Sequence, residues 1–279
     1  MRLARITVLA IVIGLGINHL WWSIVDWHLS DMNAYWEAAL RLRAGDPLFP
    51  AVADVEASSV YRYSPWFAWV WVPLTYLPRF VVNIGWSAVL VIASGTAVAP
   101  LVRARAWLAA AFFFPILIGI SAIGNVHALL VAGLVLGVER RTGPLWIAVA
   151  SSLKLFPILF VLTYLGRREW ARAAAAAALS TLLLAPFLLY DLSDYVSDAG
   201  FAGLLWEAPL VYALVVAAAM AAALWLSRGP YGWLASAVAV VLSLPRFFVY
   251  DVTYLAVGAR RARSLGRDDM TIHRGTADH

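Results

Sequence analysis

Gly143-Pro-Leu-Trp-Ile-Ala-Val-Ala-Ser-Ser-Leu-Lys-Leu-Phe-Pro-Ile-Leu-Phe-Val-Leu-Thr-Tyr164 contains one charged side chain, Lys154, which is also the only lysine of the chain. An ammonium group in hydrocarbon costs at least about 2.5–3.5 kcal/mol even on lenient insertion scales. A chain keeps such a residue where it meets a partner, a cavity or an anionic ligand. Lys154-Leu-Phe-Pro157 falls in the middle of the run, and proline removes a backbone donor and interrupts a helix. The stretch reads as a broken membrane segment with a functional cation near its break.

The surrounding chain supports a membrane setting. Of its 279 residues, 63% are hydrophobic and 13% charged, about half the charged fraction of a soluble domain. Mean hydropathy is +0.80. Apolar runs occur near 6–25, 64–78, 81–101, 107–123, 126–138, 144–165, 172–190, 208–227 and 231–257, several of them close to the roughly 20 residues that span a bilayer. The predicted fold class is all-α: a polytopic transmembrane helical bundle, residues 1–259, followed by a polar cytoplasmic tail over 260–279. There is no cysteine, which excludes a disulfide framework, a thiol nucleophile and Cys-based metal sites. The net charge of +5 reflects arginines beside apolar runs, and membrane orientation accounts for these better than nucleic acid does.

Arginines cluster at Arg103/Arg105, Arg140/Arg141, Arg167/Arg168/Arg172 and Arg260/Arg261/Arg263. By the positive-inside rule these junctions and both termini are expected in the cytoplasm. The acidic loops 26–64 and 191–207 are then expected to face outward. This creates a parity problem, because 144–165 and 231–257 each lie between two arginine clusters. Helix pairs that turn at Pro157 and at Leu244-Pro245-Arg246 are one solution, bringing Lys154 and Arg246 to an outer cavity, and broken helices are tolerated where they line such a cavity; simple spans with some arginines outside are the alternative. Segment 64–78, with Pro65, Pro73 and Pro78, reads as partly re-entrant.

In the first outer loop, Ser30 is a candidate helix cap and Gly45 a stop. Met32, Tyr35, Trp36, Ala39 and Leu40 between them follow helical spacing, predicting an amphipathic juxtamembrane helix with aromatic anchors. Asp31 falls in its first turn, where the helix dipole favours a carboxylate. That carboxylate is a candidate proton acceptor, although first-turn Asp is also a common helix start. Phosphate-loop, dinucleotide and zinc-protease motifs are lacking, so no cofactor or metal is expected.

Asp31-x-x-x-Tyr35-x-x-Ala38, Gly45-Asp-Pro-Leu-Phe49 and Tyr61-Arg-Tyr-Ser-Pro65 are followed by Gly124-Asn125 and by Ala150-Ser-Ser-Leu-Lys154-Leu-Phe-Pro157. In this order the blocks resemble glycosyltransferase family 87. Two positions depart from its pattern: Asn125 stands where Gln is usual, and Phe156 where Tyr is usual. The resemblance implies a GT-C membrane enzyme using a polyprenyl-phosphate sugar, often mannose, at the outer face, with a glycan or glycolipid acceptor. It also implies that Asp31 is the catalytic aspartate. Lys154 and Arg246 are candidate phosphate contacts, since Lys supplies a mobile point charge and Arg a two-pronged grip. Tyr35, Tyr61, Tyr63, Asn125 and His127 are candidate substrate contacts. A lipid transporter and a non-catalytic scaffold are the competing classes. Transporters tend to place their acids inside helices, whereas here the acids concentrate in the outer loops, apart from Asp251.

Overall fold

The computed structural model describes residues 6, 9–10, 13–14, 16–18, 21, 29–54, 57, 60–196 and 203–259. Most of the expected first helix and all of the 260–279 tail lie outside these residues. Eleven α-helices follow one another from residue 29: α1 (Ser30–Ala44), α2 (Pro65–Trp71), α3 (Arg79–Arg103), α4 (Trp107–Ala122), α5 (His127–Gly137), α6 (Gly143–Lys154), α7 (Val161–Gly166), α8 (Trp170–Leu184), α9 (Leu204–Glu207), α10 (Pro209–Leu226) and α11 (Gly232–Leu242). Short 3-10 turns occupy Val72–Tyr76, Phe156–Phe160, Ala185–Leu189 and Val249–Leu255. No strand occurs among the described residues. The protein is an all-helical membrane bundle.

Among the described residues, three helices are long and apolar enough to cross a membrane: Arg79–Arg103, Trp170–Leu189 (which includes the turn after α8) and Pro209–Leu226. On α3, Asn83, Ser87, Leu90, Ser94, Ala97 and Leu101 recur at helical spacing and are buried, while Phe80, Ile84 and Ile92 are exposed. The inward polar groups pair across helices, as Ser94 does with Ser121 of α4 at 3.0 Å. Small residues allow the closest approach: Ala173 and Ala176 of α8 are buried, and Ser151 of α6 meets Ser180 of α8 at 2.8 Å.

Both proline-broken stretches turn back on themselves. Helix α6 ends at Lys154 and the chain resumes as a 3-10 turn carrying Pro157. By Tyr164 it has returned beside its own start, where the Tyr164 hydroxyl donates to the carbonyl of Val138. Arg172 donates to the carbonyls of Val138 and Arg140 at 2.9 and 2.6 Å. The junctions around Arg140 and Arg167 therefore share one end of the bundle. Helix α11 ends at Leu242, Pro245 follows, and the 249–259 segment returns so closely that a Cβ on Gly258 would lie 2.2 Å from the Leu234 nitrogen. Arg228 joins the same end by donating to the Gly166 carbonyl at 3.0 Å. We call this the basic end and the opposite one the site end.

Segment 64–78 begins and ends at the site end. It begins with Ser64 donating to the Leu183 carbonyl (2.8 Å) and ends beside α1, where Arg79 bonds Asn33 and lies 4.5 Å over the Trp36 ring. Two expectations for α1 are corrected. Leu29, not Ser30, holds the cap position, and no side chain caps the helix; Gly45 does end it, in the left-handed conformation at φ 81°. Part of the aromatic face also turns into the bundle. Tyr35 and Met32 are fully buried, and Tyr35 packs edge-on against Tyr63 and Phe67 at 5.1 and 4.9 Å. The α2 layer covers the face that the sequence pattern had given to the bilayer.

Candidate active site

Helices α5, α6 and α11 have 11, 12 and 11 residues, about 17–18 Å each, against about 38 Å for the 25 residues of α3. The turns that precede α5 and follow α6 and α11 gather at the site end. The first of these clasps the start of α1. At Gly124 (φ 81°) a Cβ would lie 2.6 Å from that of Met32, so only glycine allows both the left-handed turn and the contact. Trp86 of α3 secures the turn by donating to the Gly124 carbonyl at 2.8 Å.

The clasp fixes Asp31. Its backbone nitrogen donates to the Ile123 carbonyl at 2.9 Å, and the buried Asn125 amide donates to its Oδ2. The Asn125 Oδ1 accepts from the His127 nitrogen at 2.8 Å, so both ends of this amide are engaged by protein. The Val126 nitrogen donates to the Tyr35 hydroxyl (3.2 Å), which donates to that of Tyr63 (3.3 Å). Burial pushes the phenols of Tyr35, Tyr61 and Tyr63 above their ordinary range, and the Asp31 charge adds to this at Tyr35. All three remain neutral hydroxyls.

His127 is fully buried. Its Nε2 lies 2.8 Å from the Thr253 Oγ1 and 3.1 Å from the Tyr250 carbonyl. A carbonyl only accepts, and Thr253 already donates to it at 2.7 Å, so Nε2 carries the proton. Nδ1 has no partner among the described residues. In this structure His127 ties the start of α5 to the returning 249–255 segment.

Lys154, the last residue of α6, reaches toward that segment. Its Nζ lies 3.4 Å from the Tyr250 hydroxyl and 4.6 Å from the centroid of the ring. Among the described residues no carboxylate lies within ion-pair distance of it. Arg246 stacks 4.9 Å over Phe248, whose ring is parallel to Tyr250 at 5.3 Å. Lys154 and Arg246 line one cavity of about 260 Å³ with Arg62, Phe156, Tyr195, Tyr250, Asp251 and Tyr254. Three cations thus face one carboxylate, and Asp251 already accepts from the Phe248 nitrogen at 3.0 Å. The Tyr254 hydroxyl is buried and unpartnered among the described residues. Such a cavity suits an anion with several oxygen acceptors.

Tyr63 joins the two halves, lying within electrostatic reach of both Lys154 and Asp31. The structure thus brings Asp31, Tyr35, Tyr63, Asn125, His127 and Lys154 into one neighbourhood, with Arg246 across the cavity. Tyr61 stands apart. Its hydroxyl donates to the Ser64 carbonyl at 2.8 Å and its ring faces a second cavity. Tyr250, Tyr254 and Arg62 were missed in the sequence; the Tyr-Asp-x-x-Tyr spacing of 250–254, a polar pattern in an otherwise apolar segment, is the signal that marks them.

Fold and cavity together define a helical membrane protein with a cavity lined by three cations and one carboxylate at one end. Residues 61–263 match the sequence profile of glycosyltransferase family 87. The chain belongs to that family and is a membrane glycosyltransferase. The match begins at Tyr61, so α1 and Asp31 precede the matched region. No curated protein and no solved structure matches the chain.

Proposed function

We propose that the protein transfers a hexose, with mannose the first choice, from a polyprenyl phosphate to a hydroxyl of a glycan or glycolipid, with inversion and at the outer face of the membrane. A lipid-linked donor needs a cationic cavity at membrane level, and a hydroxyl acceptor needs a base. The observation that carries the reading is the convergence of Lys154, Arg62 and Arg246 on one cavity beside the clasp that holds Asp31. The acceptor oxygen bonds to the anomeric carbon as the bond from that carbon to the phosphate oxygen breaks. The hydroxyl proton passes to Asp31, and the lipid phosphate departs with its negative charge facing Lys154 and Arg246. Asn125 holds the carboxylate, while Tyr35 and Tyr63 supply neutral hydroxyls beside it. General-base assistance contributes roughly 10²–10⁴-fold, and neutralising the leaving phosphate contributes further.

Lys154→Met tests the phosphate role, because it keeps the apolar stem and removes the charge. Donor affinity, measured with a radiolabelled polyprenyl-phosphate mannose in nanodiscs, is expected to fall at least about tenfold, the loss of one charge-assisted contact, with thermal stability unchanged. Wild-type affinity and turnover in a folded Lys154→Met protein would refute the assignment.

A further inference from the structure

A third cavity, about 340 Å³, opens on the flank of the bundle between α3, α5 and the start of α6. Its cause is side-chain size. Ala93 of α3 and Ala132, Gly133 and Gly137 of α5 are buried and too small to fill the space between the two helices. Val89, Ile92 and Leu136 line the same space from the outside, at 42, 68 and 36% exposure. The result is an apolar trough with an exposed rim. From Leu129 to Gly137 it follows α5 for about 12 Å toward the basic end.

The trough is polar at that end only. Trp146 of α6 lies across both glycines: a Cβ on Gly133 would fall 2.1 Å from its Cε3, and one on Gly137 would fall 2.8 Å from its Nε1. The apolar half of the indole is thus the deeper one, and the N–H edge is nearer the basic end. Arg140 and Thr142, both exposed, line the cavity there. Among the described residues no protein group hydrogen-bonds or pairs with the Arg140 guanidinium, the Thr142 hydroxyl or the Trp146 N–H. The lining contains no acid. Glu139, beside Arg140 in sequence, is occupied elsewhere: it accepts from Trp233 at 2.8 Å and lies 4.0 Å from Arg167.

Three donor groups, one of them a full positive charge, therefore close one end of an apolar trough. A free anion would leave the trough uncovered. A zwitterionic lipid would bring a cation of its own to an end that is already positive. An anionic amphiphile answers both parts, its phosphate meeting the guanidinium fork and its chain covering the apolar surface. Basic pockets between membrane helices take headgroups of this kind. We propose that the trough binds one anionic glycerophospholipid, with its phosphate at Arg140, Thr142 and Trp146 and one acyl chain lying over Ala93, Ala132 and Gly133. This lipid belongs to the leaflet at the basic end, whichever face that is. It is not the lipid-linked donor, whose phosphate is proposed above to meet Lys154 at the opposite end.

Native mass spectrometry of the detergent-purified protein tests the site, with phosphatidylglycerol and phosphatidylcholine of identical chains added in equal amounts. The wild type is expected to retain one phosphatidylglycerol with at least about fivefold preference, the effect of one arginine beside a lipid phosphate. Arg140→Gln should remove that preference. Arg141→Gln makes the same charge change one residue outside the lining and should keep it. Both variants should match the wild-type unfolding midpoint in detergent without added lipid. A second arm locates the chain: in nanodiscs, phosphatidylglycerol with a diazirine on one acyl chain should cross-link to peptides covering 89–96 and 129–146. No preference in the wild type, or equal loss in both variants, would overturn the proposal. So would cross-links spread evenly over the exposed helices α8 and α10, which would mark ordinary boundary lipid. A lipid-free dimer would also overturn it, because a second copy would then fill the trough. Should a variant fail to fold, cross-linking of the wild type still decides.

Discussion

Asp31 illustrates how much of a residue's role is set by what holds it. A first-turn carboxylate on an exposed helix would be free to rotate and well hydrated. Here the Asn125 amide donates to it, and that amide is itself fixed by the start of α5. A proton acceptor fixed in this way has paid its orientational cost before the acceptor arrives. Asp31→Asn is therefore expected to lower transfer by about two to four orders of magnitude while donor binding persists. Asn125→Ala, which removes this donor and keeps the carboxylate, should fall between Asp31→Asn and wild type and should affect kcat more than KM. Single-turnover assays with labelled donor measure both. Near-normal transfer by Asp31→Asn would remove this carboxylate from the mechanism.

At the scale of elements, the turns carry the site, and Gly124 is the one whose geometry is least replaceable. Its left-handed backbone and its contact with Met32 mean that Gly124→Ala must move α1 or open the turn. We expect a loss of about 1–3 kcal/mol, read as a lower thermal unfolding midpoint in detergent, together with reduced transfer because Asp31 moves with α1. An unaltered midpoint would show that the clasp is loose. The two proline turns were partly legible in the sequence, since charge parity allowed them as one of two solutions and Pro157 and Pro245 supplied the breaks. The clasp was not. Asp31 and Asn125 are 94 positions apart, and no local pattern pairs residues across such a distance. The inward face of α1 was misread for a related reason: Tyr35 and Met32 are as suited to lipid as to a protein core, and only the packing of α2 decides between them. The second cavity was likewise invisible, because its lining comes from α1, the 49–61 stretch and the 191–196 loop.

The whole molecule is polarised. Arg140, Arg167, Arg172 and Arg228 meet at one end, and the turns bearing Asp31, Lys154 and Arg246 meet at the other. By the positive-inside rule we propose that the basic end faces the cytoplasm. Because the chain is naturally free of cysteine, single cysteines report this cleanly. Asp191→Cys and Ser193→Cys should react with an impermeant thiol reagent on intact cells, whereas Thr142→Cys and Arg228→Cys should react only after permeabilisation. The reverse pattern would turn the protein over and place the reaction at the inner face. The helices that bear the site also have a physical reach of their own. Helices α5, α6 and α11 rise only about 17–18 Å, well short of a hydrocarbon core of about 30 Å. Most of their residues are buried within the bundle, so the depth they leave uncrossed is walled by protein rather than by lipid. In the reaction proposed above, a lipid-linked donor would have to bring its headgroup below the membrane surface to meet Lys154, so the length of these three helices would set how deep the donor must reach.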